Sequence, residues 1–143
     1  MAHTAKLFGL VFKSLANKEI DFDSDTLKVM LCTSAYTPNQ DTHQYKSSVT
    51  NEVTGAGYTA GGAELDNVTV TYDPALNALV LDADDVTWPS STLTARHAVV
   101  YDDTPATNKP LIGYITFEGD ISSTSAPFQI VWNASGIARF TAA

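Results

Sequence analysis

The feature that most constrains this chain is a ten-residue run, TLTARHAVVY at positions 92–101, which has the pattern of one long β-strand. It is rich in β-branched and aromatic residues and contains neither glycine nor proline, as expected for a strand interior. Strict alternation gives one face with Leu93, Ala95, His97, Val99 and Tyr101 and another with Thr92, Thr94, Arg96, Ala98 and Val100. Both faces are apolar towards the C-terminal end, so we expect this strand in the centre of a sheet.

Other strand-like segments recur at short intervals along the chain. They lie at residues 19–23, 26–33, 65–72, 78–81, 111–117, 128–132 and 137–140. Turn signals separate them, notably at residues 73–74, 89–91, 102–110, 118–127 and 133–136. This spacing, without an internal repeat, predicts a mainly β protein, an antiparallel β-sandwich forming a single domain over residues 1–143. Leu93, Val99, Trp88 and Trp132 are expected in its core.

One short helix is expected at the N-terminus, over residues 5–17. The apolar residues there follow a helical stripe, with Leu7, Leu10, Val11 and Leu15 widened by Phe8 and Phe12. Thr4 is the expected N-cap of this helix and Asn17 its expected end.

Composition narrows the classes of function. The 143 residues are 44% hydrophobic, and no apolar run approaches the ~20 residues needed to cross a bilayer. The N-terminus lacks the features of a secretory signal, so we expect synthesis in the cytoplasm. The net charge of −8 disfavours nucleic-acid binding. Basic residues gather in the first 46 positions, which suits either a protein partner or simple solubility.

Motifs for catalysis, cofactors or metals are weak or missing. The acidic residues Asp73, Asp82, Asp84 and Asp85 lack the spacing of a calcium loop, and we interpret them as solvated turns. The three histidines lack metal-ligand spacing, and His97 has the setting of a hydrogen-bonded core or interface residue.

The glycine-rich residues 54–62 are followed by neither a helix pattern nor a lysine, so they predict close backbone approach rather than phosphate binding. Cys32 is expected to be a small buried hydrophobe. We therefore expect no enzyme, no cofactor and no bound metal.

Two polar loops, residues 34–48 and 54–62, are the best candidates for a binding surface. Loops of the first one's length, which we expect to include one helical turn near Asp41, are often functional. The predicted contact residues in these loops are Tyr36, Pro38, His43, Tyr45 and Tyr58. Aromatic side chains in polar segments often contact a partner, and the alternative is that they pack back onto the domain.

Several segments, in order along nearly the whole chain, resemble a widespread family of small tailed-bacteriophage proteins. They are IDFDSDTLKVML (20–31), YTPNQDTH (36–43), EVTGAGYTAGGA (52–63), DADDVTW (82–88), ARHAVVY (95–101), LIGY (111–114) and FQIVWNASGI (128–137). The resemblance implies a component of the virion.

A compact acidic β domain suits a capsid decoration (cement) protein, which would bind the head exterior and stabilise contacts between major capsid subunits. Its implied partners are the major capsid protein and neighbouring virion proteins, and it could self-associate around a local symmetry axis. Membrane and nucleic acid are not expected partners. A tail or fibre component and a host-surface or carbohydrate-binding module are the alternatives.

Overall fold

The structure, a computed structural model, describes residues 3–142. The predicted single domain also includes Met1, Ala2 and Ala143, which lie outside the described residues. In chain order the elements are β1 (Thr4–Leu7), α1 (Val11–Ala16), β2 (Leu27–Cys32), β3 (Ala63–Glu64), β4 (Thr69–Asp73), β5 (Ala78–Asp82), β6 (Val86–Asp102), β7 (Leu111–Ile130) and β8 (Ala138–Thr141). A short 3-10 helix lies at Lys46–Ser48.

The strands form two antiparallel sheets that pack as a β-sandwich, as predicted. The larger sheet has the order β1-β7-β6-β2-β3, and the smaller has the order β4-β5-β8. The main core lies between them, where Val29, Leu31 and Leu93 of the larger sheet join a cluster that also includes Leu81 and Phe140 of the smaller sheet. The predicted core residues Trp88, Leu93, Val99 and Trp132 are all buried.

A second, smaller core covers the opposite face of the larger sheet. It is formed by Phe8, Met30, Cys32, Tyr36, Val99, Tyr101, Leu111 and Tyr114, with Val49 packed against it. The central strands β2 and β6 are therefore covered on both faces, which explains why the C-terminal end of residues 92–101 is apolar on both sides. Cys32 is buried as expected, and burial raises the pKa of its thiol to about 12.

The predicted division of β6 into two faces is wrong beyond Ala95. The pairing of β6 with β7 shifts register between Ala95 and His97, where the single residue Arg96 stands opposite residues 117–120 of β7, an enlarged bulge in the ladder. A bulge reverses the alternation, so Ala98 and Val100 join the main core with Ala95, while Val99 lies in the second core.

The N-terminal helix prediction is wrong in its first half. Residues Thr4–Leu7 form a strand that pairs with β7, from Thr4 opposite Thr116 to Leu7 opposite Gly113. Helix α1 occupies only Val11–Ala16, and its N-cap is Leu10 rather than Thr4. Hydrogen bonding to the sheet overrides the local helical pattern here. The predicted helix end at Asn17 is confirmed, since Asn17 is the C-cap.

Two predicted turns in the long strands are also wrong. Residues 89–91 lie within β6, and residues 118–127 lie within β7, so both strands run through segments whose composition favours a turn. Both turn-like segments are irregular within their strands. The pairing shifts register on both sides of Ser91, and Ser125 has a positive φ of 45°. The outcome is a continuous two-stranded ribbon of 17 and 20 residues.

Smaller corrections concern the first and third predicted strands. Residues 19–23 do not form a strand: 19–21 are irregular, and a turn follows at 22–24, where the carbonyl of Asp21 accepts hydrogen bonds from the N–H groups of Ser24 (3.3 Å) and Asp25 (2.9 Å). Residues 65–72 are only partly a strand: Asn67 has a φ of 52°, and β4 begins at Thr69. The predicted strands at 26–33, 78–81 and 137–140 are confirmed within a residue or two as β2, β5 and β8.

Candidate partner-binding surface

The loop of residues 34–48 is held against the outer face of the larger sheet by Tyr36 and His43. Tyr36 is only 2% exposed, and its ring stacks on that of His43 at a centroid distance of 5.7 Å. The Asn39 N–H donates to Nδ1 of His43 (3.3 Å), so this nitrogen is an acceptor, and the Tyr36 hydroxyl donates to it at 2.9 Å. Burial raises the pKa of the Tyr36 hydroxyl, which keeps it protonated and able to donate.

His97 lies beneath this pair, on β6. The Tyr36 ring meets the His97 ring edge-on at 5.8 Å, and Nδ1 of His97 lies 3.0 Å from Oγ1 of Thr116. Burial lowers the pKa of His97, so the neutral imidazole is favoured. The prediction of a hydrogen-bonded core histidine is confirmed.

The tip and the end of the loop are also anchored. Asn39 Oδ1 accepts hydrogen bonds from the N–H groups of Asp41 (2.9 Å) and Thr42 (3.1 Å), and the His43 N–H donates to the Asn39 carbonyl (3.1 Å), forming a helical turn close to the one predicted. Tyr45, at the loop's end, donates its hydroxyl to Glu19 Oε2 at 3.2 Å. The loop is therefore a rigid layer rather than a mobile flap.

Tyr58 anchors the second loop in the same manner. Its hydroxyl donates to Glu52 Oε2 at 2.6 Å and accepts the Leu31 N–H at 3.0 Å, while its ring stacks on Trp88 at 5.8 Å. Glu52 Oε2 also accepts the Gly61 N–H at 2.7 Å. Burial, together with the hydrogen bond to the Glu52 carboxylate, raises the pKa of Tyr58. Sequence reasoning missed Glu52 as the residue that organises this loop.

Close backbone approach, predicted for the glycine-rich loop, is confirmed. Gly62 has a φ of +85°, and a Cβ at this position would overlap the backbone carbonyl oxygen of Val29. Gly57 has a φ of +79° and lies against the backbone of Ser90 in β6. Only glycine, which has no Cβ, can adopt these positive φ angles this close to neighbouring backbone atoms.

The five predicted contact residues do not form one site. Tyr36, Pro38, His43 and Tyr45 belong to the layer over the outer face of the larger sheet, whereas Tyr58 packs on Trp88 of the main core. The three tyrosines orient their hydroxyls towards partners within the chain. The surfaces that these loops present are polar, with Thr37, Asn39 and Asp41 exposed on the first loop and Thr59 on the second. That either loop binds a partner stays a prediction.

Three of the acidic residues accept hydrogen bonds from within the chain. Asp85 Oδ1 accepts the Trp132 N–H at 3.0 Å, Asp84 Oδ2 accepts from the Asn67 amide at 2.6 Å, and Asp73 Oδ1 accepts the Ala75 N–H at 2.9 Å. Within residues 3–142, no three His, Cys, Asp or Glu side chains are grouped so that they could hold a metal ion.

An apolar groove that sequence reasoning missed runs beside β7. It has a volume of about 570 Å³ and is lined in part by Ile115, Phe117, Ile121, Phe128 and Val131. The sequence predicted strands at 111–117 and 128–132, but residues 118–127, which carry Ile121, have the composition of a turn. The continuous strand that joins these segments along the groove was therefore not expected.

No protein-family profile, curated protein or solved structure matches this chain. Among residues 3–142, no helix has the length and hydropathy that a membrane crossing requires.

Proposed function

We propose that this chain is a structural protein of a tailed-bacteriophage virion, namely a capsid decoration protein that binds the head exterior and stabilises contacts between major capsid subunits. It would be made in the host cytoplasm, incorporated into the virion, and act by binding rather than by catalysis. The sequence resemblance motivates the assignment, and the observation that best supports it is the rigid anchoring of the 34–48 loop.

Rigid anchoring matters because a loop that is ordered before binding loses little conformational entropy when a partner arrives. The Tyr36–His43 pair fixes the middle of the loop and the Tyr45–Glu19 hydrogen bond fixes its end. The exposed rim between them, which includes Thr37 and Asn39, then offers a preformed polar surface. Such a surface suits repeated docking on a shell built from many identical subunits.

Binding of this kind stabilises the assembled shell by mass action. A ligand that binds only the assembled form contributes about 2.7 kcal/mol per site at a free concentration of one hundred times Kd. Summed over the many equivalent sites of a capsid, this contribution would resist the pressure of packaged DNA without any covalent bond.

A tail or fibre component is the second candidate, and one observation favours it. The β6–β7 ribbon, with strands of 17 and 20 residues, is much longer than an average strand of about 5–6 residues. Tail tubes assemble through long hairpins, so a ribbon of this length would suit that role. A host-surface or carbohydrate-binding module is less well supported, because the tyrosines expected to stack on a sugar ring face the chain's interior.

The copy number of the protein in purified particles separates these roles. Quantitative mass spectrometry should find hundreds of copies per particle, in proportion to the major capsid protein. A few copies per particle would indicate an adhesin or fibre, and absence from the particle would indicate a non-structural role.

The contribution of the 34–48 loop can be tested by adding purified variants to heads that lack the protein. Thr37→Arg places a bulky charge on the exposed rim and should lower occupancy at least tenfold. Thr71→Arg places the same side chain on an exposed position of β4, distant in sequence and in the other sheet, and should bind as the wild type does. Equal occupancy of the two variants would exclude the loop as the docking surface.

A further inference from the structure

The C-terminal end of β6 carries a buried carboxyl group that the proposed function does not use. Asp102 is 0% exposed, and its backbone N–H donates to the Pro110 carbonyl at 2.9 Å. Oδ1 of Asp102 accepts the Thr104 N–H at 3.0 Å. Oδ2 is also buried, and no hydrogen-bond donor reaches it in the part of the chain that the structure describes. Leaving a buried carboxylate oxygen without a donor is costly, so this group calls for an explanation.

A second carboxyl, that of Asp25, lies beside Asp102, together with the side-chain hydroxyl of Thr104. It lies within hydrogen-bonding reach of the Asp102 side chain, and its Oδ2 accepts the Asp21 N–H at 3.0 Å. Asp25 belongs to the turn of residues 21–26, which precedes β2. Two backbone contacts tie this turn to the end of β6, since Asp103 N–H donates to the Thr26 carbonyl (2.8 Å) and Thr26 N–H donates to Thr104 Oγ1 (2.7 Å).

Neither nearby lysine forms an ion pair with Asp102. Lys28 on β2 and Lys109 in the turn before β7 both form ion pairs with Asp103, each at 3.0 Å. Burial raises the pKa of Asp103, but these two ammonium groups outweigh that effect and lower it. The remaining charged groups on the 21–26 turn, Asp21 and Asp23, are acidic, and hydrogen bonds from Ser24 and Asp23 lower the pKa of Asp21.

Two carboxylates in contact and without a cation cannot both be ionised at modest cost. We propose that Asp102 holds a proton at neutral pH and donates it in a hydrogen bond to the Asp25 carboxylate, and that this hydrogen bond is a latch that holds the 21–26 turn against the end of β6. The protonated carboxyl donates its O–H to the other carboxylate, which supplies the missing donor.

The raised pKa of Asp102 determines how the stability of the folded state changes with pH. Burial, reinforced by the hydrogen bond and charge of Asp25, raises the pKa of Asp102 to about 7. The folded state therefore holds this proton more tightly than the unfolded chain does. The resulting stabilisation is fully present below the ordinary aspartate value and is lost as the pH rises through about 7.

Loss of the proton would place two negative charges side by side and open the turn. The turn carries Phe22, whose ring packs on Phe140 of β8 at 5.7 Å. Opening the latch would thus loosen one end of the main core while the β6–β7 ribbon stays intact.

The test is a carbon-13 NMR titration of the aspartate side-chain carboxyls in the intact protein, between pH 3 and pH 9. We expect the proton of Asp102 to dissociate near pH 7. Asp102→Asn should abolish that step, and Asp23→Asn, an exposed position in the same turn, should leave it unchanged. Should Asp102→Asn fail to fold, Asp25→Asn replaces the carboxylate by an amide that can donate to Asp102, and should move the step to a lower pH without abolishing it.

A second measurement reports on the latch itself. Amide hydrogen exchange of residues 21–26, corrected for its intrinsic pH dependence, should accelerate at least tenfold between pH 6 and pH 8.5 in the wild type and not in Asp102→Asn. Dissociation of the Asp102 proton below pH 5 would overturn the proposal, as would equal acceleration in the variant. Slower amide exchange of residues 21–26 on addition of calcium at pH 8.5 would show that a cation, not a proton, holds the turn. That result would also overturn the proposal.

Discussion

The hydroxyl of Tyr36 donates to Nδ1 of His43 across 2.9 Å, and the two rings stack 5.7 Å apart. The two residues are separated by six others, so their contact closes the middle of the 34–48 loop into a compact unit. The same pair rests on His97 of the central strand. The predicted contact residues of this loop are thus the residues that give the loop its shape.

Removing the Tyr36 hydroxyl should destabilise the fold by about 1 kcal/mol, because it deletes one buried hydrogen bond while keeping the ring. Urea unfolding of Tyr36→Phe measures this change. Tyr72→Phe is the matched control, since Tyr72 is 56% exposed and its hydroxyl lies 3.5 Å from Asn77 Oδ1. It should change the free energy of unfolding by less than about 0.5 kcal/mol. Equal effects of the two substitutions would show that the Tyr36–His43 bond contributes nothing.

Gly62→Ala should be among the most damaging small substitutions in the chain. The new Cβ would overlap the Val29 carbonyl oxygen, and the residue's φ of +85° is strained for any L side chain. We expect a loss of about 2 kcal/mol or more, in the range of other strained or overpacked sites. Thermal unfolding gives the comparison.

Gly119→Ala is the control for that substitution. Gly119 lies in β7, and a Cβ there would meet nothing within 4 Å. Alanine reduces the freedom of the unfolded chain, so this variant should be unchanged or stabilised by about 0.4–1 kcal/mol. If both glycine variants unfold alike, backbone proximity at Gly62 does not explain the loop's conformation.

His97 should make the protein less stable in acid. Its folded pKa is depressed from the ordinary value of 6.5, chiefly by burial, so the unfolded chain binds the proton more readily. The stabilisation is present above pH 6.5 and is lost as the pH falls through the folded value. A histidine ring titration by NMR should give a midpoint below 6.5 for His97. A midpoint at or above 6.5 would contradict the neutral, buried assignment.

The fold class could be predicted from the sequence because local apolar patterns and turn signals indicate most of the strands. Strands β2, β5 and β8 each have alternating or continuous apolar residues between clear turn signals, and Trp88 and Trp132 are buried as expected. Where local signals were overridden, the cause was pairing with distant residues. The helical stripe of residues 5–17 fails because residues Thr4–Leu7 pair with Gly113–Thr116, a relationship that no local pattern encodes.

The candidate surface was less predictable. Composition identified two polar loops correctly, but it could not show that Tyr36 and Tyr58 turn inwards, since that depends on the positions of His43 and Glu52 after folding. Asp25 and Asp102 are 77 positions apart in a chain with many acidic residues, so no local pattern indicates that these two are in contact. Similarly, the faces of β6 reverse between Ala95 and His97 without any glycine or proline in that part of β6, because the extra residues of the bulge lie on the partner strand β7.

The central claim is that this protein stabilises a phage head by binding its exterior. The most direct test heats DNA-filled heads with and without the protein and records DNA release with a fluorescent dye. Heads that lack the protein should release DNA at a lower temperature, and adding back the purified wild type should restore the original temperature, whereas Thr37→Arg should not. Identical release temperatures in the presence and absence of saturating protein would contradict the claim, as would images that place the protein on the tail.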